Sequence, residues 1–163
     1  MLNRSPIIEL QVEGAQTRKM LSRVPFDRFD WKPHGKSMNL GRLATHIAEL
    51  PGFIPVITGS TFLDVLQMKR QPSTVTNNED LLALHDRKLE EAIAALTAAT
   101  DEELMTSWSL RRGETVMFTL PRISGIRTLA MNHIVHHRGQ LAVFLRLNDV
   151  PVPGMYGPSA DEM

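Results

Sequence analysis

Cysteine is absent from the 163 residues. That excludes disulfides, thiolate-held zinc, iron–sulfur clusters and a cysteine nucleophile. The six histidines remain as the soft-to-borderline metal ligands. Net charge is missing too: 18 Lys+Arg face 18 Asp+Glu, a formal charge of zero. Phosphate binding rests on a basic excess, so no nucleic-acid partner and no membrane partner is expected. Long apolar runs are lacking. Stretches such as Leu141 to Leu145 are far too short to cross a bilayer. Met1 to Gly14 mixes charges with apolar residues and has no continuous apolar stretch of the signal-peptide kind. A soluble, cytoplasmic protein is therefore expected. No internal repeat or low-complexity tract is visible, and the length suits a single domain over residues 1–163.

What is present is helical periodicity in four stretches. The first runs from about Ser5 to Val24, with Ser5 as N-cap, Pro6 in the first turn, and Ile7, Leu10, Gly14, Thr17, Leu21 and Val24 on one face. A packed loop with Trp31 and His34 follows. The second helix starts near Met38, with Asn39 as cap and Leu40, Leu43, Ile47, Leu50, Ile54 and Ile57 inward. Pro51 and Pro55 interrupt it, and a break is predicted at Pro51, whose ring clashes with the Ile47 carbonyl. Thr58 to Asn78 is polar and turn-rich around a short apolar insert, Phe62 to Leu66. The third helix spans about Asn78 to Ala99, with Leu82, His85, Leu89 and Leu96 on one face. Thr106 to Leu120 alternates apolar and polar residues around Arg112 and Gly113, which predicts a short hairpin or flap. The fourth helix runs from Pro121 or Ser124 to about Leu147, and a Pro- and Gly-rich tail is expected to lie on the bundle. Four amphipathic helices without a parallel-sheet signal predict an all-α four-helix bundle.

The densest chemistry lies in Asn132 to Gln140. His133 and His137, four apart, share one helix face and can reach one metal ion. Six histidines placed at random in this length give about 0.2 pairs at that spacing, so the pair alone is a weak signal. Packed helix histidines bonded to backbone or carboxylate are the alternative. His46 adds weight, since it too lies inward, between Leu43 and Leu50. Buried imidazoles need partners for both nitrogens. Three of them can meet that need by binding one ion through one nitrogen each and donating from the other. Such a three-His site, His46, His133 and His137, keeps a coordination position open, the arrangement of catalytic zinc-type centres. Three imidazoles accept zinc or nickel first, with iron or manganese as further choices. His85, inward by periodicity, reads as site lining or a core histidine. His136 and Gln140 fall at the rim of the site. Trp31 and Trp108 read as packing residues, Arg111 and Arg112 as a solvated turn, and Arg138 as a surface or tail ion pair. Gly139, costly inside a helix, suggests close helix approach.

Several segments resemble the DinB family: Trp31 to His34, Lys36 to Met38, Leu43 to Pro51, His133 to Leu141 and Pro153 to Glu162. The resemblance covers nearly the whole chain, with its motifs in order. It implies a DinB/YfiT-like up-down-down-up bundle, a homodimer, and a divalent metal on three histidines, carried over by position to His46, His133 and His137. It also implies a small-molecule substrate. Relatives include transferases and isomerases that use low-molecular-weight thiols, and metal-dependent hydrolases. Glu49, three residues after His46, is the nearest carboxylate and reads as solvent-facing. Catalytic residues beyond the metal ligands are not assigned. The function expected is a metal-dependent enzyme, a hydrolase or a thiol S-transferase. The alternative is a non-catalytic, stress-related metal-binding or dimerisation module.

Overall fold

In the computed structural model, which describes residues 1–68 and 73–163, helix α1 spans Arg4–Leu21. It begins one residue ahead of the predicted cap. Asn3, not Ser5, holds the N-cap position, and its side-chain amide donates to the carbonyls of Leu96 and Ala99. Helix α2, Leu40–Glu49, is capped as predicted: the Asn39 side chain accepts from the Arg42 N–H at 2.7 Å. Pro51 breaks the helix. A 3₁₀ turn, Leu50–Gly52, leads into a short helix α3, Phe53–Gly59. Pro55 interrupts nothing, because it sits in the first turn of α3, where its missing N–H has no acceptor to lose. Helix α4, Asn78–Ala98, is capped by Asn77, and a five-residue helix α5, Asp101–Met105, by a reciprocal Thr100–Glu103 box.

The all-α expectation is corrected by a three-stranded sheet, β1 (Phe62–Asp64), β2 (Ser107–Arg112) and β3 (Thr115–Pro121). The predicted hairpin is β2–β3, turning at Gly113 with φ of +60°. The insert after Thr58, taken as part of a loop, supplies β1, which pairs parallel to β2 with Phe62 opposite Ser109. Asp64 fastens that junction by accepting from the N–H groups of Leu66 and Gly113. Residues 69–72 of the expected crossover lie outside the described residues.

The last helical run joins helix α6 (Arg122–Ile126), a π turn (Arg127–Met131) and helix α7 (Asn132–Leu147). Four helices form a ring in which α1 packs on α4 and α7, and α2 packs on the same two. Their side chains build two apolar clusters. One gathers Met20, Leu43, Ile47, Leu81, Leu141 and Leu145; the other gathers Leu10, Ile54, Ile57, Leu96, Trp108 and Ile126. On α4 it is Leu81 and Leu84, rather than Leu82, that are fully buried. Trp108 packs as expected, its indole N–H bonded to Ser60 Oγ. Trp31 meets Phe144 edge-on at 5.6 Å. The tail lies on α1 and α7: Lys19 pairs with Glu162, Arg146 with Asp161, and Tyr156 reaches Glu13. No described helix is long and apolar enough to cross a membrane.

Close approach is found at glycines other than Gly139. A Cβ on Gly139 meets open space, whereas one on Gly41 lands in the Phe29 ring. Gly139→Ala should therefore gain roughly 1 kcal/mol of helix propensity. Gly41→Ala should lose stability, since overpacking costs about 1–3 kcal/mol and exceeds that gain. Opposite shifts of the urea midpoint in the two variants check this.

Candidate metal centre

Three imidazoles meet between α2 and α7. His46 comes from α2, one turn before the Pro51 break, and His133 and His137 from successive turns of α7. Ring centroids are 5.1 Å apart for His46–His133, 4.8 Å for His46–His137 and 4.6 Å for His133–His137. One nitrogen of each lies within 4.8 Å of the others. His137 is buried and the other two are half-buried, so the cluster opens to one side.

On His133 and His137 the nitrogens facing away have partners that bear on the tautomers. His133 Nδ1 lies 3.3 Å from the Leu129 carbonyl, and His137 Nδ1 lies 2.7 Å from Gln140 Oε1. A carbonyl oxygen only accepts, so with the Gln140 amide in this orientation the network assigns the proton to both Nδ1 atoms and leaves both Nε2 atoms bare. Those two Nε2 atoms face each other at 2.9 Å. Two lone pairs at that distance repel unless a proton or a cation lies between them, and with neither present the rings must draw apart. Protonation is disfavoured: burial, then His137 and His133, push His46 down from 6.5 to about 4. Burial first, with neighbouring imidazoles added, also lowers His133 and His137. Neutral, convergent imidazoles, two of them hydrogen-bonded outward, are a donor set that a divalent ion takes. The residues fit the metal.

The remaining sequence candidates fall around this centre or apart from it. Exposed His136 has its ring 4.9 Å from that of His137, and its Nε2 lies 3.1 Å from Gln140 Nε2. Gln140 thus bridges two imidazoles. His85 is buried on α4, where its Nδ1 lies 3.2 Å from Asp86 Oδ1. Burial lowers its pKa, opposed by Asp86. His34 is exposed in its loop and accepts from the Lys36 N–H. Glu49 is not solvent-facing: Oε2 pairs with Arg42 at 3.1 Å and Oε1 accepts from the Ser73 N–H at 2.8 Å. Among the described residues, the ligand cluster contains no carboxylate and no fourth imidazole.

Two features escaped the sequence reading. The π turn stands immediately before Asn132 and contains Leu129, whose carbonyl receives His133. Such turns occur often at functional sites but carry no composition rule. Arg138 is not on the surface. It is 2% exposed and bonds Glu13 Oε2 at 2.5 Å, the Glu13 carbonyl, Thr17 and the Tyr156 hydroxyl.

A profile of the DinB family matches residues 7–163. The chain is 26% identical over 159 residues to the uncharacterized protein YrdA of Bacillus subtilis (strain 168), covering 93% of this chain and 86% of that one. It is similar in fold to a DinB-like protein (YjoA) from Bacillus subtilis, with a TM-score of 0.71 and 21% identity, covering 91% of this chain and 96% of that one. A DinB-like protein from Bacillus cereus ATCC 10987 gives a TM-score of 0.65 and 28% identity, with 90% and 92% covered. With the family match running to the last residue, and the fold shared with two solved DinB-like proteins, this chain belongs to the DinB family.

Proposed function

We propose that this protein is a metal-dependent enzyme in which His46, His133 and His137 hold a divalent ion with positions open for an exogenous nucleophile. That nucleophile is water, for hydrolysis, or a low-molecular-weight thiol, for transfer to an electrophile. The observation that carries the reading is the pair of bare Nε2 atoms on His133 and His137, turned on each other at 2.9 Å beside His46. A divalent ion supplies Lewis acidity there, lowering the pKa of a coordinated water or thiol. Three neutral imidazoles leave the ion's double charge undiminished. Glu49 is engaged by Arg42 and Ser73, so the reading gives it no proton-transfer role. With no cysteine in the chain, sulfur chemistry here needs the sulfur to arrive as substrate.

Zinc or nickel suits the donor set first. The reading includes a small-molecule substrate and a homodimer, both resting on family membership. It also takes the bundle as up-down-down-up. Residue pairings support that order: Asn3 reaches Leu96 while Asn78 reaches the Val24 carbonyl, so α1 and α4 are antiparallel. Glu9 pairs with Arg127 and Glu13 with Arg138, so α1 and α7 run together.

The test is metal analysis of untagged protein, followed by electrophile turnover with bacillithiol, mycothiol, glutathione or no thiol. Turnover that requires metal and one thiol is the transferase outcome, and metal-dependent turnover without thiol is the hydrolase outcome. Bound metal whose removal unfolds the chain, with no turnover under any condition, overturns the enzymatic reading in favour of a stabilising metal module.

A further inference from the structure

Both ends of the Gln140 side-chain amide are engaged by imidazoles. It lies three residues after His137 and four after His136, so all three share one strip of α7. Its Oε1 lies 2.7 Å from His137 Nδ1, and its Nε2 lies 3.1 Å from His136 Nε2. We propose that Gln140 is the positioning residue that fixes His137 in the one tautomer able to bind a metal through Nε2.

The argument is one of proton bookkeeping along the strip. An amide oxygen accepts, so its contact with Nδ1 puts the His137 proton there and leaves Nε2 bare. The reversed amide would present NH₂ to Nδ1. His137 would then carry its proton on Nε2, aimed at His133 Nε2 at 2.9 Å and away from any ligand role. His136 matches this orientation: in the tautomer whose Nε2 lone pair faces the amide NH₂, the oxygen is left for His137. His133 uses a different device, a main-chain carbonyl at Leu129, which no side-chain substitution removes. His137 therefore depends on its neighbours' identity in a way that His133 does not. A polar residue at the rim becomes part of the metal centre without touching the ion.

The proposal rests on the three-His reading above, and two measurements keep their failures apart. The first is the ¹⁵N signature of the His137 ring in the metal-free wild-type protein. The Nδ1–H form is expected to dominate. A dominant Nε2–H form overturns the proposal, whether or not the protein takes up metal. The second is zinc affinity by chelator competition, with the visible spectrum of the cobalt-loaded protein, for wild type, Gln140→Leu and Gln140→Glu. Leucine keeps the bulk and removes the acceptor, so affinity should fall about 10–100-fold, as with other lost partners of metal-bound imidazoles. Glutamate restores the acceptor and should restore binding and the wild-type cobalt spectrum. A Gln140→Leu protein that binds zinc as tightly as wild type, with the same spectrum, overturns the proposal. Failure of wild type to bind zinc or cobalt counts instead against the metal reading, and the ¹⁵N measurement still decides the role of Gln140.

Discussion

Replacing Glu13 by alanine is expected to destabilise the fold by about 3–5 kcal/mol, because it leaves the Arg138 guanidinium buried without its counter-charge. The Arg138 side chain is 3% exposed and that of Glu13 15%, so solvent cannot take over the lost partner. Arg138 would keep bonds to the Glu13 carbonyl, Thr17 and the Tyr156 hydroxyl, none of them charged. Tyr156→Phe should cost far less, since it removes the bonds of an uncharged hydroxyl on a mostly exposed ring and leaves the Glu13–Arg138 pair in place. Replacing both ends of the pair, Glu13→Leu with Arg138→Met, should recover much of the loss, as paired removal leaves no orphaned charge. Urea denaturation of the three variants checks the order. A Glu13→Ala protein as stable as wild type would mean that the pair is hydrated and contributes nothing.

Arg138 also shows why parts of this molecule were not legible in its sequence. A charged residue on an amphipathic helix reads as surface, and its partner Glu13 lies 125 residues earlier. No local pattern joins them. The same holds for β1: three residues beside Thr61 pair with a strand that begins at Ser107, and only the folded ring of helices brings them together. The π turn has no signature at all. What was legible rests on short-range physics. Asn39 caps α2 because its side chain reaches an N–H three residues on. Pro51 breaks the helix through its ring and missing donor. Gly113 turns the hairpin because it tolerates a positive φ. The box at Thr100 and Glu103 was equally local and announces α5, though its five residues carry too little periodicity to stand out. The three histidines were legible for a mixed reason. Spacing paired His133 with His137, and the problem of a polar ring among core aliphatics added His46, on another helix.

Removing one of those rings should abolish stoichiometric metal binding. For His46→Ala, His133→Ala or His137→Ala the loss should exceed the roughly 10–100-fold that follows loss of an outer partner. His34→Ala, in an exposed loop, should retain the wild-type metal content. Equal metal content in wild type and the three cluster variants would dismiss the centre. The lowered imidazole pKa values add a pH signature with a definite sign. At neutral pH the rings are unprotonated in both folded and unfolded chains, and their titration contributes nothing to stability. As pH falls through 6.5, the unfolded chain takes up protons first, while folded His46 resists until about 4. Burial holds His133 and His137 down in the same direction. Metal-free protein should therefore lose stability progressively between pH 6.5 and about 4. Below that, His46 should cause no further loss. Thermal melts of metal-free wild type against His46→Ala check this, since the variant lacks the largest part of the slope. Over pH 7 to 6 folded His46 stays unprotonated and burial holds His133 and His137 below the ordinary value, so zinc uptake should fall less steeply there than for ordinary imidazoles, which titrate at about 6.5. A site that loses zinc as steeply as ordinary imidazoles across that interval would have histidines hydrated and separate, and not the mutually facing set that joins α2 to α7.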